Sequence, residues 1–439
     1  MTTKITFNVQ NGGSLNGEAR VAGDKSISHR SIMLGSLAEG TTHVTGFLEA
    51  EDALATLQAF RDMGVEIERQ GEGCVTIHGV GKHGLKAPKA PLYLGNSGTS
   101  MRLLSGLLSG QNFNSVLTGD ESLSKRPMKR VTEPLAKMGA KIKTTEKGTA
   151  PLEITGKAGQ LVGIDYEMPM ASAQVKSCLL LAGMYAQGET KVTEPAPTRD
   201  HTERMLNGFG YPVSVNGNQA SINADGKLTA MTIDVPSDIS SAAFFLVGAS
   251  IAENSNVLLK HVGINPTRTG VIDILKLMGA NIEVLNERIV GGEPVADLRV
   301  TSAQLKGIEI PEHLVPLAID EFPVLFIAAA YAEGKTRLTG AEELRVKESD
   351  RIQVMADGLQ ILGVNAQPTP DGMIIQGGQI GGGTVESHGD HRIAMAFAIA
   401  GLRANAPIEI LDCANVNTSF PEFKNIATNL GLKLTTEEN

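Results

Sequence analysis

Cysteine is scarce in this chain: three residues, Cys74, Cys178 and Cys413, lie far apart, and no Cys-x-x-Cys pair occurs. That pattern excludes a disulfide framework and a zinc-binding knuckle, and it suits a reducing cytoplasm. Each cysteine is expected in or near packed structure as a small apolar residue. Long apolar runs are also missing, and Met1 to Gln10 alternates like a strand with no apolar h-region, so no membrane partner is expected. Basic excess is lacking too. The formal net charge of -9 argues against nucleic acid, which needs a positive footprint, although a local basic cleft can still sit in an acidic protein. The 41% hydrophobic and 20% charged content is that of a globular protein, and 439 residues suffice for two domains, each with its own core.

What the chain has in place of these is a repeat. Phe60 to Ile67 reads FRDMGVEI, Leu135 to Ile142 LAKMGAKI, and Leu206 to Val213 LNGFGYPV. Leu275 to Ile282 follows as LKLMGANI, Leu359 to Ala366 as LQILGVNA, and Ile426 to Leu432 closes with IATNLGL. The spacing is roughly 70 to 85 residues, longer than a solenoid repeat. Each copy reads as an amphipathic helix, such as the one carrying Leu54, Leu57 and Phe60, that stops at a glycine able to take φ > 0 before a strand. Upstream of each lies a second helix, apolar almost all round and therefore buried: Ile32 to Leu37, Leu103 to Leu108, Val175 to Met184, Ala242 to Ile251, Val324 to Tyr331 and Ile393 to Leu402. The expected fold is α/β: six units of two helices and short strands, three per domain, with a midpoint near Val235-Pro236-Ser237.

The residues before each buried helix carry the chemistry. They are Gly23-Asp-Lys-Ser-Ile-Ser-His-Arg30, Gly95-Asn-Ser-Gly-Thr-Ser-Met-Arg102, Met170-Ala-Ser-Ala-Gln174, Pro236-Ser-Asp-Ile-Ser-Ser241, Asp320-Glu-Phe-Pro323 and His388-Gly-Asp-His-Arg392. One such start is an ordinary capping site. Six in register, several with Lys, Arg, His or Gln in the first turn, read as one anion-binding chamber between the domains, using free N–H groups and the positive ends of helix dipoles. Lys125-Arg126, Arg199 and the run Arg345-Val-Lys-Glu-Ser-Asp-Arg351 add cations suited to phosphate and carboxylate. Two carboxylates stand among them. Asp320 opens the fifth buried helix, either as its cap or as an acid–base group, and Glu348 either pairs with Lys347 or Arg351 or works on substrate. Gly334-Lys-Thr336 lacks the first glycine of a P-loop, since Ala329 stands there, and His29 and His201 have no partner at metal spacing. No metal and no nucleotide is expected.

The runs Gly23 to Arg30, Gly95 to Arg102, Arg345 to Arg351 and Gly389-Asp-His-Arg-Ile-Ala-Met395 resemble those of the 5-enolpyruvylshikimate-3-phosphate synthase family, in order and over essentially the whole chain. The resemblance implies two inverse α/β-barrel-like domains, each of three βαβαββ-type units: residues 23–236, and residues 1–22 with 237–439, the active site lying in the cleft between. It implies transfer of the enolpyruvyl group of phosphoenolpyruvate to the 5-hydroxyl of shikimate 3-phosphate, with phosphate released, no cofactor, and a cytoplasmic monomer as the working form. By the same resemblance, Lys25, Ser26, Arg30, Ser172, Ala173, Gln174, Arg199, Asp320 and Lys347 hold shikimate 3-phosphate. Lys25, Gly98 through its N–H, Arg126 and Gln174 hold the phosphate of phosphoenolpyruvate, and Arg351 and Arg392 its carboxylate. Asp320 is implied as the base on the 5-hydroxyl and Glu348 as the acid on the methylene carbon, with Lys25 as the third catalytic group.

Some positions depart from the commoner form of the family, which has serine at Ala173, proline at Leu103, a lysine near Thr418 and other residues at Asp200-His201. These departures resemble the second class, some members of which tolerate glyphosate, although Gly98 is the small residue of sensitive members. Two other readings compete. The related transferase acting on UDP-N-acetylglucosamine uses a loop cysteine, and none of the three cysteines here sits in such a basic loop. A non-catalytic anion-binding module would gain nothing from Asp320 and Glu348, which weaken anion binding.

Overall fold

The computed structural model describes residues 4–438. Its two-helix repeat is legible in the order of the elements. The helices are α1 (Lys25–Leu37), α2 (Glu51–Asp62), α3 (Gly98–Ser109), α4 (Lys129–Lys137), α5 (Ala173–Gly183), α6 (His201–Gly208), α7 (Ile239–Ile251), α8 (Gly270–Leu277), α9 (Phe322–Tyr331), α10 (Arg351–Ile361), α11 (His391–Ala400) and α12 (Phe423–Leu430). A single extra turn, Glu121–Ser124, lies before α4. The odd-numbered helices are the buried ones; in α7 and α9 every residue is buried.

The even-numbered helices end as the sequence predicts. Gly64, Gly139, Gly210, Gly279, Gly363 and Gly431 all lie in the left-handed region, with φ from +80° to +123°. In every copy the N–H of the residue after that glycine donates to the carbonyl five residues earlier, as in Val65 N to Phe60 O at 3.1 Å and Tyr211 N to Leu206 O at 2.8 Å. This bond satisfies a carbonyl the helix leaves unpaired and turns the chain into the next strand.

Six small sheets accompany the helices, five of four strands and one of three. In the second repeat Leu92–Tyr93 runs parallel to Ser115–Thr118 across α3. Leu152–Thr155 then pairs antiparallel with Ser115–Thr118 and with Lys141–Lys143, completing a βαβαββ unit. The chain divides into two compact units: Gly23–Val235 with Val290–Glu293, and the N-terminal residues to Ala22 with Pro236–Ile289 and Pro294 onward. In the first unit, Thr232–Asp234 serves as the parallel edge of the opening sheet, beside Glu39–Thr45. The second unit is closed by the N-terminus. Asn16–Ala19 is the parallel neighbour of Asn256–Gly263, and Ile5–Val9 fits between Ile408–Leu411 and Leu434–Glu438. Phe7, Phe244, Phe245, Phe420 and Phe423 lock that strand onto α7 and α12 with ring centroids 5.7–6.4 Å apart.

Within each unit the buried helices pack on one another, and small residues set the spacing. A Cβ on Gly106 of α3 would stand 2.1 Å from the carbonyl oxygen of Cys178 in α5. Gly106→Ala is therefore expected to destabilise the first unit by about 1–3 kcal/mol, the usual cost of overpacking, despite the better helix propensity of alanine. Urea unfolding monitored by circular dichroism measures this; an unchanged midpoint would show that the two helices part without cost.

Candidate active site

The first unit gathers cations around the starts of α1, α3 and α5. Lys25, in the first turn of α1, sets its ammonium 3.1 Å from Asp52 of α2. Five residues on, Arg30 is buried and held by three bonds: Nε to Thr202 Oγ1 at 2.7 Å, Nη1 to the Ser26 carbonyl at 3.0 Å and Nη2 to Ser177 Oγ at 3.0 Å. A guanidinium has five N–H groups, so two remain for a ligand. Burial pulls Arg30 down to about 10, with Glu203 and Asp24 opposing and Arg199 assisting, which leaves it charged at neutral pH.

At α3 a glycine lets two guanidinium groups close in on the helix start. A Cβ on Gly98 would lie 3.1 Å from Arg126 Nη1 and 3.2 Å from Arg102 Nη1. Arg126 donates to Asn96 at 2.5 Å, and Arg102 to Gln174 Oε1 at 2.5 Å. Gln174 in turn donates to Thr99 Oγ1 at 3.0 Å, so α3 and α5 start from one polar network. Ser172 caps α5, Ala173 begins it, and Arg199 stands half-buried two residues before α6. His29 bonds Thr56 of α2 at 2.8 Å, and Ser97 and Ser100 of α3 at 3.4 and 3.3 Å. Burial, followed by Lys25 and Arg30, holds it well below its ordinary value, so it is a neutral strut.

The second unit contributes a denser cluster. Arg351, at the first position of α10 and 1% exposed, has Nε 2.8 Å from Asp390, Nη2 2.7 Å from Glu348 and Nη1 3.5 Å from Asp320. Burial alone would lower this guanidinium, but Asp390, Glu348 and Asp320 more than reverse that and hold it above its usual range. Lys347 approaches Asp320 at 3.7 Å and Glu343 at 3.9 Å. Arg351 Nη1 is buried without a hydrogen-bond partner among the described residues. The half-buried Arg392 has no side-chain hydrogen bond or ion pair among them either. Both are donors with capacity for an incoming anion.

Two sequence expectations need correcting. Asp320 does not open or cap the fifth buried helix: α9 begins at Phe322, and Glu321, its N-cap residue, makes no side-chain capping bond. Asp320 lies in the preceding turn, which leaves its carboxylate free to meet Lys347 and Arg351. Nor are the helix starts rings of free N–H groups. Asp24, Ser97, Ser172, Asp238 and Asp390 each accept from an N–H of their own first turn. Aspartate at such a cap offsets part of the positive charge of the helix end.

The expected site residues thus fall into two groups. Lys25, Ser26, Arg30, Gly98, Arg126, Ser172, Ala173, Gln174 and Arg199 are in the first unit, and Asp320, Lys347, Glu348, Arg351 and Arg392 in the second. Sequence reasoning passed over Arg102, Asn96, Asp52 and Asp390, which hold the named groups in place. Arg102, Asn96 and Asp390 were visible inside the quoted motifs, whereas nothing local marked Asp52.

The sequence matches the profile of EPSP synthase (3-phosphoshikimate 1-carboxyvinyltransferase) over residues 9–426. The chain belongs to the EPSP synthase family. Within that family, the 3-phosphoshikimate 1-carboxyvinyltransferase of Methylococcus capsulatus is 70% identical over 430 residues, 98% of each chain. That of Alkalilimnicola ehrlichii is 69% identical over 433 residues, 98% of this chain and 97% of its own. A solved EPSP synthase from Acinetobacter baumannii is 64% identical, with a TM-score of 0.90 over 99% of this chain and 100% of that one. The enolpyruvyl transferase NikO from Streptomyces tendae, at 15% identity and a TM-score of 0.80, shares the fold. Family membership and the motif resemblance agree, and they remove the non-catalytic reading.

Arg351 compensates several carboxylates at once, so its loss is expected to be costly. Arg351→Met should destabilise the second unit by about 3–5 kcal/mol at pH 7, the usual penalty for leaving buried charge unpaired. Burial opposes the charge on Asp390, yet Arg351 keeps its carboxyl below the ordinary 3.8. A depressed carboxyl stabilises the fold above its unfolded value, and that contribution drains away as pH falls through the folded one. The native protein should therefore lose stability below about pH 4 more steeply than the variant. Urea melts between pH 7 and 3 test both points.

Proposed function

We propose that the cations and carboxylates of both units act on one substrate pair, with this chain transferring the enolpyruvyl group of phosphoenolpyruvate to the 5-hydroxyl of shikimate 3-phosphate. The chain is a transferase of aromatic amino-acid biosynthesis, a 3-phosphoshikimate 1-carboxyvinyltransferase. One observation carries the assignment of residues: Asp320 and Glu348, the two acids that proton transfer needs, meet the same buried arginine.

In this reading Lys25, Ser26, Arg30, Ser172, Ala173, Gln174, Arg199 and Lys347 hold shikimate 3-phosphate. Lys25, Gly98, Arg126 and Gln174 take the phosphate of phosphoenolpyruvate, while Arg351 and Arg392 take its carboxylate. The spare Arg351 Nη1 and the uncommitted Arg392 guanidinium suit a planar carboxylate. Glu348 protonates the methylene carbon, and positive character develops at the adjacent carbon. Asp320 accepts the 5-hydroxyl proton as that oxygen adds there. In the second half, a proton leaves the new methyl group and phosphate departs. Cations held by Asp52, Asn96 and Asp390 need little reorganisation as charge shifts, which lowers the barrier.

The working form is read as a cytoplasmic monomer. Its three cysteines are free. Among the described residues no helix is long and apolar enough to cross a membrane. One chain supplies every named group.

Phosphate release with both substrates tests the reaction; no release, or release only with UDP-N-acetylglucosamine as acceptor, would sink it. Glu348→Gln should lower kcat about 10²–10⁴-fold with substrate binding largely kept, the weight of a general acid or base. An unchanged kcat removes Glu348 from the chemistry. Arg126→Ala should raise KM for phosphoenolpyruvate far more than for shikimate 3-phosphate, and steady-state kinetics showing equal effects would contradict its placement.

A further inference from the structure

Of the six buried helices, α9 alone begins without a side-chain cap, and it is the helix that Asp320 precedes. The reason is where Glu321 points. Its side chain is 1% exposed and turns into the interior, where it accepts a hydrogen bond from Ser240 Oγ. Arg268 lies beside it, buried, in the loop after the strand Asn256–Gly263. Its Nη2 donates to Ser240 Oγ at 2.7 Å and to Asp238 at 2.9 Å, and stands 3.9 Å from Glu321. Asp238 caps α7 by accepting from Ser240 N at 2.9 Å. The arrangement ties the start of α9 to the start of α7 through one guanidinium.

Two buried carboxylates so close repel each other unless a cation sits among them. Without Arg268, Glu321 would be driven outward, and the turn Asp320–Glu321 would rotate with it. From the other side, Arg351 and Lys347 attract Asp320 at 3.5 and 3.7 Å. The position of Asp320 is thus a balance between an anchor on its neighbour and a pull on its own carboxylate.

We propose that Arg268 is a positioning residue for Asp320, acting by holding Glu321 in the interior so that the turn before α9 presents Asp320 to its partners. The inference rests on the reading of Asp320 as the base on the 5-hydroxyl, and it extends that reading to a residue outside the substrate-binding set.

A double-mutant cycle on the full-length enzyme separates positioning from mere support of the fold. Arg268→Met removes the cation between Asp238 and Glu321 but keeps an unbranched side chain. In the otherwise native enzyme it should lower kcat about 10- to 100-fold, as a misplaced catalytic group does, with both KM values within about twofold. In an Asp320→Asn background the same change should cost nothing further. A kcat within about twofold of native, or an equal loss in both backgrounds, overturns the proposal. If the methionine variant does not fold, Glu321→Gln enters the same cycle with the same criteria, since it keeps the shape and the Ser240 bond but removes the charge that Arg268 attracts. Should Asp320→Asn alone retain full kcat, the base assignment fails, and that failure is visible before Arg268 is touched.

Discussion

Arg351, enclosed by Asp390, Glu348 and Asp320, is the interaction on which the charge cluster of the second unit depends. Three carboxylates would not stay together in a water-poor interior without it, since each would repel the others and seek solvent. Arg351 holds the acids around one centre, while its Nη1, 3.5 Å from Asp320, makes no hydrogen bond among the described residues. Charge balance among these four groups sets the geometry.

The first unit answers the opposite problem. Lys25, Arg30, Arg102 and Arg126 lie in the opening turns of its buried helices or the loops before them, and each is steadied by an uncharged or acidic neighbour: Asp52, Thr202 with Ser177, Gln174, and Asn96. Hydroxyl and amide partners orient a guanidinium without neutralising it, which leaves its charge available for phosphate. Lys25 has the Asp52 carboxylate 3.1 Å away, and an ammonium has three donors to share. Scaffolding of this kind costs little in affinity for anions.

Much of this was legible in advance. The period of the glycine-terminated helices announced six α/β units, because a helix that ends on a left-handed glycine leaves the same mark wherever it occurs. Motif runs such as Gly23 to Arg30 placed the site residues at helix starts. Asp320 was misplaced by two residues because apolar Leu314 to Ile319 reads as helix lead-in, whereas the chain there forms short turns before α9. The role of the caps was misread for another reason: a serine or aspartate before a helix shows that it can cap, not whether its N–H groups are then left for a ligand.

The sequence by itself determined the repeat, the burial of alternate helices, the kinds of group at their starts and the family, all of which follow from local pattern and from motif order. The motif resemblance joined residues 1–22 to the second domain, but only the tertiary structure decided which strands Ile5–Val9 and Asn16–Ala19 pair with, and that Asp52 steadies Lys25. It alone paired Arg268 with Asp238 and Glu321, and Arg351 with Asp390. Strand pairing and buried ion pairs join residues tens to hundreds of positions apart. Their partners are chosen by the closing of sheets and the balancing of charge in three dimensions, which no window of sequence contains.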